Sequence, residues 1–171
     1  MTRSPLEDAF AHHVWATQQL LDTCAALPPE QMEATVPGTY GSIIATLRHL
    51  VASDRSYLRR LTGDADLARI DEDADSSLGE LRAAMVVNGD AWTRLIKTEI
   101  DPDSESVIRD GDNEVHIPAG IRLAQAVHHG TDHRSQVCTA LTTLGVTPPD
   151  IDVWAFGDAT GRIRTAPLPP S

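Results

Sequence analysis

Apolar residues recur at helical spacing in four long segments. In residues 5–27, Leu6, Phe10, Val14, Leu20, Leu21, Cys24 and Leu27 fall near one side of a 3.6-residue period. Ser4 or Pro5 suits the start of this segment and Pro28-Pro29 closes it. A second segment, about 42–62, has Ser42 as its N-cap, Gly63 as its stop, and a stripe of Ile43, Ile44, Leu47, Leu50, Val51, Leu58 and Leu61. A third runs from Ser76 or Ser77 to about Glu99 on Leu78, Leu81, Met85, Trp92, Leu95 and Ile96, ahead of Asp101-Pro102. The fourth, about 118–144, opens at Pro118 and ends at Gly145. Four such segments, with connections of unequal length and no internal repeat, predict an all-α fold: one four-helix-bundle domain spanning residues 1–171.

The connections carry their own signals. Residues 64–75 hold six carboxylates and one arginine, and read as a solvated loop; the glycine and spaced ligands of an EF-hand are missing. In 107–118, two short apolar runs flank Asp110-Gly111-Asp112-Asn113, which predicts a small hairpin or lid before the fourth helix. Beyond Pro148-Pro149, Ile151, Val153, Trp154 and Phe156 suit one short docked helix, and the Pro-rich residues 162–171 a flexible tail.

The candidate chemistry concentrates in the fourth helix, where Ala126–Val137 holds three of the seven histidines. His129 and His133 are four apart, so both imidazoles leave one face about 5–6 Å apart at Cβ and can share one divalent ion. They lie at one edge of an apolar arc that also collects Leu123, Ala126, Gly130, Val137, Ala140, Leu141 and Leu144, and so point inward. Buried neutral imidazoles need partners, and a metal is one. His128 and Asp132 lie off that arc on the other side; Asp132 is a candidate for orienting a neighbouring histidine. Arg134 is either a group for an anionic thiol or substrate, or an exposed arginine making surface pairs. His13, beside His12 on the first helix, is a further candidate for the cleft.

His49 sits on the second helix away from its stripe, with the small residues Ser42, Ala45, Ala52, Ser53 and Ser56 as neighbours by phase. Phase leaves two readings open: an exposed histidine, or a small-residue face cleared beside a metal and a substrate. Cys138 lies opposite His129 around the fourth helix, and both it and Cys24 read as packing residues.

Composition excludes several classes. A net charge of −11 offers no basic surplus for nucleic acid. The longest apolar runs fall short of 18 residues, which predicts no transmembrane helix, and the first residues lack the apolar core of a signal peptide. Two cysteines make no disulfide framework, and a reducing cytoplasm is the expected location.

Three segments resemble the DinB/YfiT-like family of metalloenzymes. His13-Val14-Trp15 with Leu20-Leu21 and Leu27–Gln31 is similar to the family's opening, Gly41–Val51 to its second-helix segment, and His129–Gln136 to its fourth-helix signature; Leu144-Gly145 and Pro148–Asp152 fit the usual ending. The resemblance implies His49, His129 and His133 as metal ligands, on an up-down-down-up bundle that is often a homodimer. The family often has Asn at the place of His128, which leaves open whether that residue joins the site. Relatives include transferases dependent on bacillithiol or mycothiol, and maleylpyruvate isomerases. The implied protein is therefore a bacterial metal-dependent enzyme acting with a low-molecular-weight thiol on an electrophile. Its ion is zinc or nickel, with iron or manganese also compatible with imidazole. A hydrolase using metal-bound water, and a stress-response module that holds metal without turnover, are the competing classes.

Overall fold

The computed structural model describes residues 3–168. In chain order these form α1 (Pro5–Cys24), α2 (Pro29–Met32), α3 (Ile43–Thr62), α4 (Leu78–Ile96), β1 (Glu105–Asp110), β2 (Asn113–Pro118), α5 (Ala119–Thr143) and α6 (Val153–Ala159). The protein is mostly helical, as the apolar periodicity predicts.

Helix starts follow from capping chemistry. The Ser4 hydroxyl accepts from the Glu7 N–H while the Glu7 carboxylate accepts from the Ser4 N–H, and Ser77 and Glu80 repeat this reciprocal pair on α4. Ser42 caps α3 by accepting from the Ala45 N–H. Two ends come earlier than the periodicity suggests. After Cys24 the chain continues in tighter turns, Ala26 N–H to Thr23 O and Leu27 N–H to Cys24 O, so Leu27 keeps the phase outside the helix. After Ile96, the backbone and hydroxyl of Thr98 both bond Leu95 O, which ends α4 three residues before Glu99. The four-residue α2 is too short for any period to announce.

α1 packs against α4 and α5, and α3 packs against the same two helices. The apolar core falls into two clusters. One gathers Leu20, Leu21, Leu47, Val51, Met85, Val137 and Leu141; the other Phe10, Leu58, Trp92, Ile96, Leu123 and Ala126. Between them every long helix inserts buried polar side chains: His13 and Thr17 on α1, Asp54 and Arg55 on α3, Asn88 on α4, Arg134 on α5. These residues keep the phase of the apolar stripes, for Asp54 lies three after Val51 and four before Leu58, and Asn88 stands in the same relation to Met85 and Trp92.

The hairpin pairs Glu105 with Pro118 through Asp110 with Asn113, so its turn is only Gly111-Asp112. Gly111 has φ 58 at the first central position, where a type II′ turn asks for glycine. β2 packs against α5, and the Arg122 guanidinium donates to Ser106 Oγ at 2.8 Å.

The acidic connection is not simply solvated. Leu67 is buried, and Arg55 and Arg59 of α3 donate to the carbonyls of Ala68 and Leu67. The docking of α6 is also narrower than its sequence suggests. Phe156 is buried, but Val153 and Trp154 are 63% and 73% exposed. Of the expected flexible tail, Arg162 and Ile163 are held by N–H bonds to Gly157 O, and 169–171 lie outside the described residues. Among the described residues no helix is long and apolar enough to cross a membrane.

Candidate metal centre

Three imidazoles from two helices converge. His49 of α3 and His129 and His133 of α5 each present one nitrogen, and these three atoms lie within 4.8 Å of one another. His49 Nε2 and His129 Nε2 are 3.1 Å apart. Two ligands at about 2.0–2.1 Å from one tetrahedral ion stand roughly 3.3 Å from each other, so this pair is already at chelating distance. The donor set fits a borderline divalent cation. The side of α3 away from its apolar stripe thus faces α5, which the phase of α3 alone does not reveal.

Neighbours fix which nitrogen each ring presents. His49 Nδ1 meets Glu72 Oε2 at 2.7 Å, and His133 Nδ1 meets Gln136 Oε1 at 3.0 Å. Both oxygens accept, so both Nδ1 atoms carry the proton and both Nε2 lone pairs are free for an ion. Gln136 Oε1 also accepts from the Tyr40 N–H at 3.0 Å, and the Tyr40 ring stacks on His49 with centroids 4.1 Å apart. Tyr57 meets His129 edge-on at 5.6 Å. Of these neighbours only Gln136 stands out in the sequence, through its place in the fourth-helix motif. Glu72 belongs to the acidic connection, and no local pattern pairs position 72 with position 49.

Burial first, then the neighbouring His133 and His49, lower the His129 pKa from 6.5 to about 4, and burial also lowers that of His133. Proton competition for these two ligands is therefore weak near neutral pH. The sign for the metal-free fold is opposite. A ring harder to protonate folded than unfolded withdraws stability as pH falls from 6.5 towards about 4. The midpoint temperature of metal-free His129→Gln should accordingly fall less over that interval than that of the parent; parallel curves would refute this.

The remaining candidates separate. His128 and Asp132 are exposed and outside the trio. Arg134 is not a surface arginine: it is 3% exposed, and burial lowers its pKa to about 10. Its Nη1 donates to His13 Nδ1 at 3.2 Å and to Thr17 Oγ1 at 3.1 Å. His13 is likewise buried rather than in a cleft. With Nδ1 accepting from Arg134, its Nε2–H donates to Asp54 Oδ1 at 2.9 Å, which also accepts from Trp92 Nε1 at 2.9 Å. Gly130 makes room for this ring, since a Cβ there would lie 2.4 Å from His13 Cε1. His12 instead meets Ile151 O at 2.8 Å, beside α6. Cys24 is buried with its thiol pushed up to about 12, and burial raises Cys138 too, so neither is an activated nucleophile.

The profile of the DinB family matches residues 1–166. The chain belongs to the DinB family. No curated protein matches it. As a DinB-family member it carries the three histidines that the resemblance points to, brought together by packing of α3 on α5.

Proposed function

We propose that this DinB-family protein binds one divalent ion through His49, His129 and His133 and uses it in enzymatic thiol chemistry. The observation that carries the reading is the convergence of three imidazole nitrogens within 4.8 Å. Three neutral ligands leave a tetrahedral ion one position short, which is the pattern of catalytic rather than structural zinc sites. Bound there, the ion supplies Lewis acidity, lowering the pKa of a coordinated water or thiol. The chain's own residues orient: Glu72 and Gln136 set the tautomers of His49 and His133, and Tyr40 covers one face of His49.

An external low-molecular-weight thiol is the favoured co-substrate, with an S-transferase or isomerase reaction on a small electrophile. Neither cysteine belongs to the trio, so a thiol from solution meets no competing protein sulfur. The side chain of His49 is 18% exposed, which leaves an approach from solvent. The reading extends to one domain with its long helices in up-down-down-up order, a cytoplasmic location suited to two free thiols, and a homodimer. Exposed Val153 and Trp154 beside an apolar groove lined by Val127, Cys138 and Ile151 support self-association. Light scattering should give twice the 18.5 kDa chain mass.

Cobalt-substituted protein tests the chemistry. Its visible spectrum should shift on adding bacterial thiols at millimolar concentration, and turnover of an electrophile should require both metal and thiol. Turnover with metal alone would instead favour the hydrolase reading, and unchanged spectra across the thiol panel would remove the transferase.

A further inference from the structure

A pocket of about 320 Å³ lies on α3 beyond His49, at the lower end of the range for small-molecule sites. Arg55, Arg59, Arg60 and Arg69 line it together with Ala52 and Ser56. Four of the chain's thirteen arginines therefore share one concavity in a protein of net charge −11. Ala52, Ser56 and Arg60 stand three, seven and eleven residues after His49, on one face of the helix. The centre of the pocket is thus roughly 10 Å along the axis from the histidine trio.

Among the described residues no carboxylate lines this pocket. The arginine ion pairs among the described residues are elsewhere: Arg3 and Arg162 with Asp8, Arg48 with Asp75, Arg82 with Asp22. The two inner guanidiniums are held by neutral acceptors. Arg55, only 6% exposed, donates to Asn88 Oδ1 and to the carbonyls of Ala68 and Ala84, and Arg59 donates to Leu67 O. Asp54, next to Arg55, offers it a buried opposite charge but lies outside the lining, and its Oδ1 is engaged by His13 and Trp92. The acidic connection reinforces the arrangement. Its backbone carbonyls accept from the inner arginines, while Arg69 from the same connection adds a cation to the lining. Like charges gathered with no carboxylate among the lining residues repel one another, and a bound anion removes that repulsion.

The geometry points to this pocket as a binding site for the oxyanion group of a small molecule, a carboxylate or a phosphate. Guanidinium groups suit both, because their paired N–H donors match the spacing of two oxygens on one centre. Arg55 and Arg59 supply a pre-oriented positive wall. The exposed Arg60 and Arg69 supply the movable donors. The site goes beyond the proposed thiol chemistry and does not require the metal.

Calorimetric titration of the chelator-treated protein tests it, with inorganic phosphate in one arm and succinate in the other. Saturable binding in the millimolar range or tighter is expected in at least one arm, and the arms show whether phosphate or carboxylate is preferred. Arg60→Ala/Arg69→Ala, which changes two exposed side chains, should weaken binding at least ten-fold. Arg94→Ala, at an exposed arginine outside the pocket, should leave it unchanged. No saturable binding of either anion at tens of millimolar, or equal affinity in the parent and the double variant, would overturn the assignment.

Discussion

Alanine at His129 should abolish stoichiometric metal binding. His129 touches both of its partners: its Nε2 is 3.1 Å from His49 Nε2, and its ring centroid is 4.3 Å from that of His133. Removing it breaks the local chelate within α5 and leaves two ligands, His49 on α3 and His133 on α5, too few to hold a divalent ion tightly. The drop in affinity should exceed the roughly 10–100-fold expected for loss of an outer-shell partner. Glu72→Gln supplies that comparison. It keeps an acceptor near His49 Nδ1 but removes the charge, and should fall within that smaller range. Metal analysis after equilibrium against a chelator measures both. His49→Ala and His133→Ala should behave like His129→Ala; full occupancy at unchanged affinity in the His49 variant would mean that the third ligand is another residue.

The second large effect is on stability. Asp54→Ala should cost about 3–5 kcal/mol, the range for breaking a buried charged network by removing one partner. The side chain is 2% exposed and accepts from both His13 and Trp92, while Arg134 stands behind His13. Among the described residues Asp54 Oδ2 finds no partner, so the carboxylate itself is incompletely compensated for leaving water. The loss on substitution therefore comes chiefly from what alanine abandons: two buried N–H donors and a buried guanidinium without its counter-charge. At about 2–4 °C per kcal/mol for a chain of this size, the midpoint should fall by roughly 10 °C. Asp54→Asn, which can still accept from one donor, should lose less. A calorimetric change below about 1 kcal/mol for alanine would show that water fills the gap.

The long helices and their caps are legible in the sequence because each signal is local. A serine hydroxyl and a glutamate three residues later, or an apolar stripe ended by glycine, acts within one or two turns. The His129 and His133 pair is legible for the same reason. His49 is not: periodicity says which side of α3 it occupies, but only the packing of α3 on α5 says what faces that side, and the family resemblance had to supply the answer. Glu72 and Tyr40 come from connections, where no period constrains direction. Arg134 shows the opposite failure. Arginine is seldom buried, so its residue type points to the surface, yet its position three before Val137 places it in phase with the core. Polar residues standing in register with an apolar stripe on all four long helices were the available sign of the buried network.

That polar layer also constrains how the helices align along their axes. Apolar contacts tolerate sliding, because leucine against leucine is nearly as good one turn away. Arg134 against His13, and His13 against Asp54, are not interchangeable with their neighbours. A one-turn slip of α5 against α1 is about 5.4 Å, enough to bring a guanidinium against the hydrocarbon of Leu20 or Phe10. The layer thus acts as a vernier that leaves one longitudinal setting of α1, α3 and α5. His49 and His129 lie on two of those same helices, so the ångström-scale match of their nitrogens is set by polar contacts deeper in the protein.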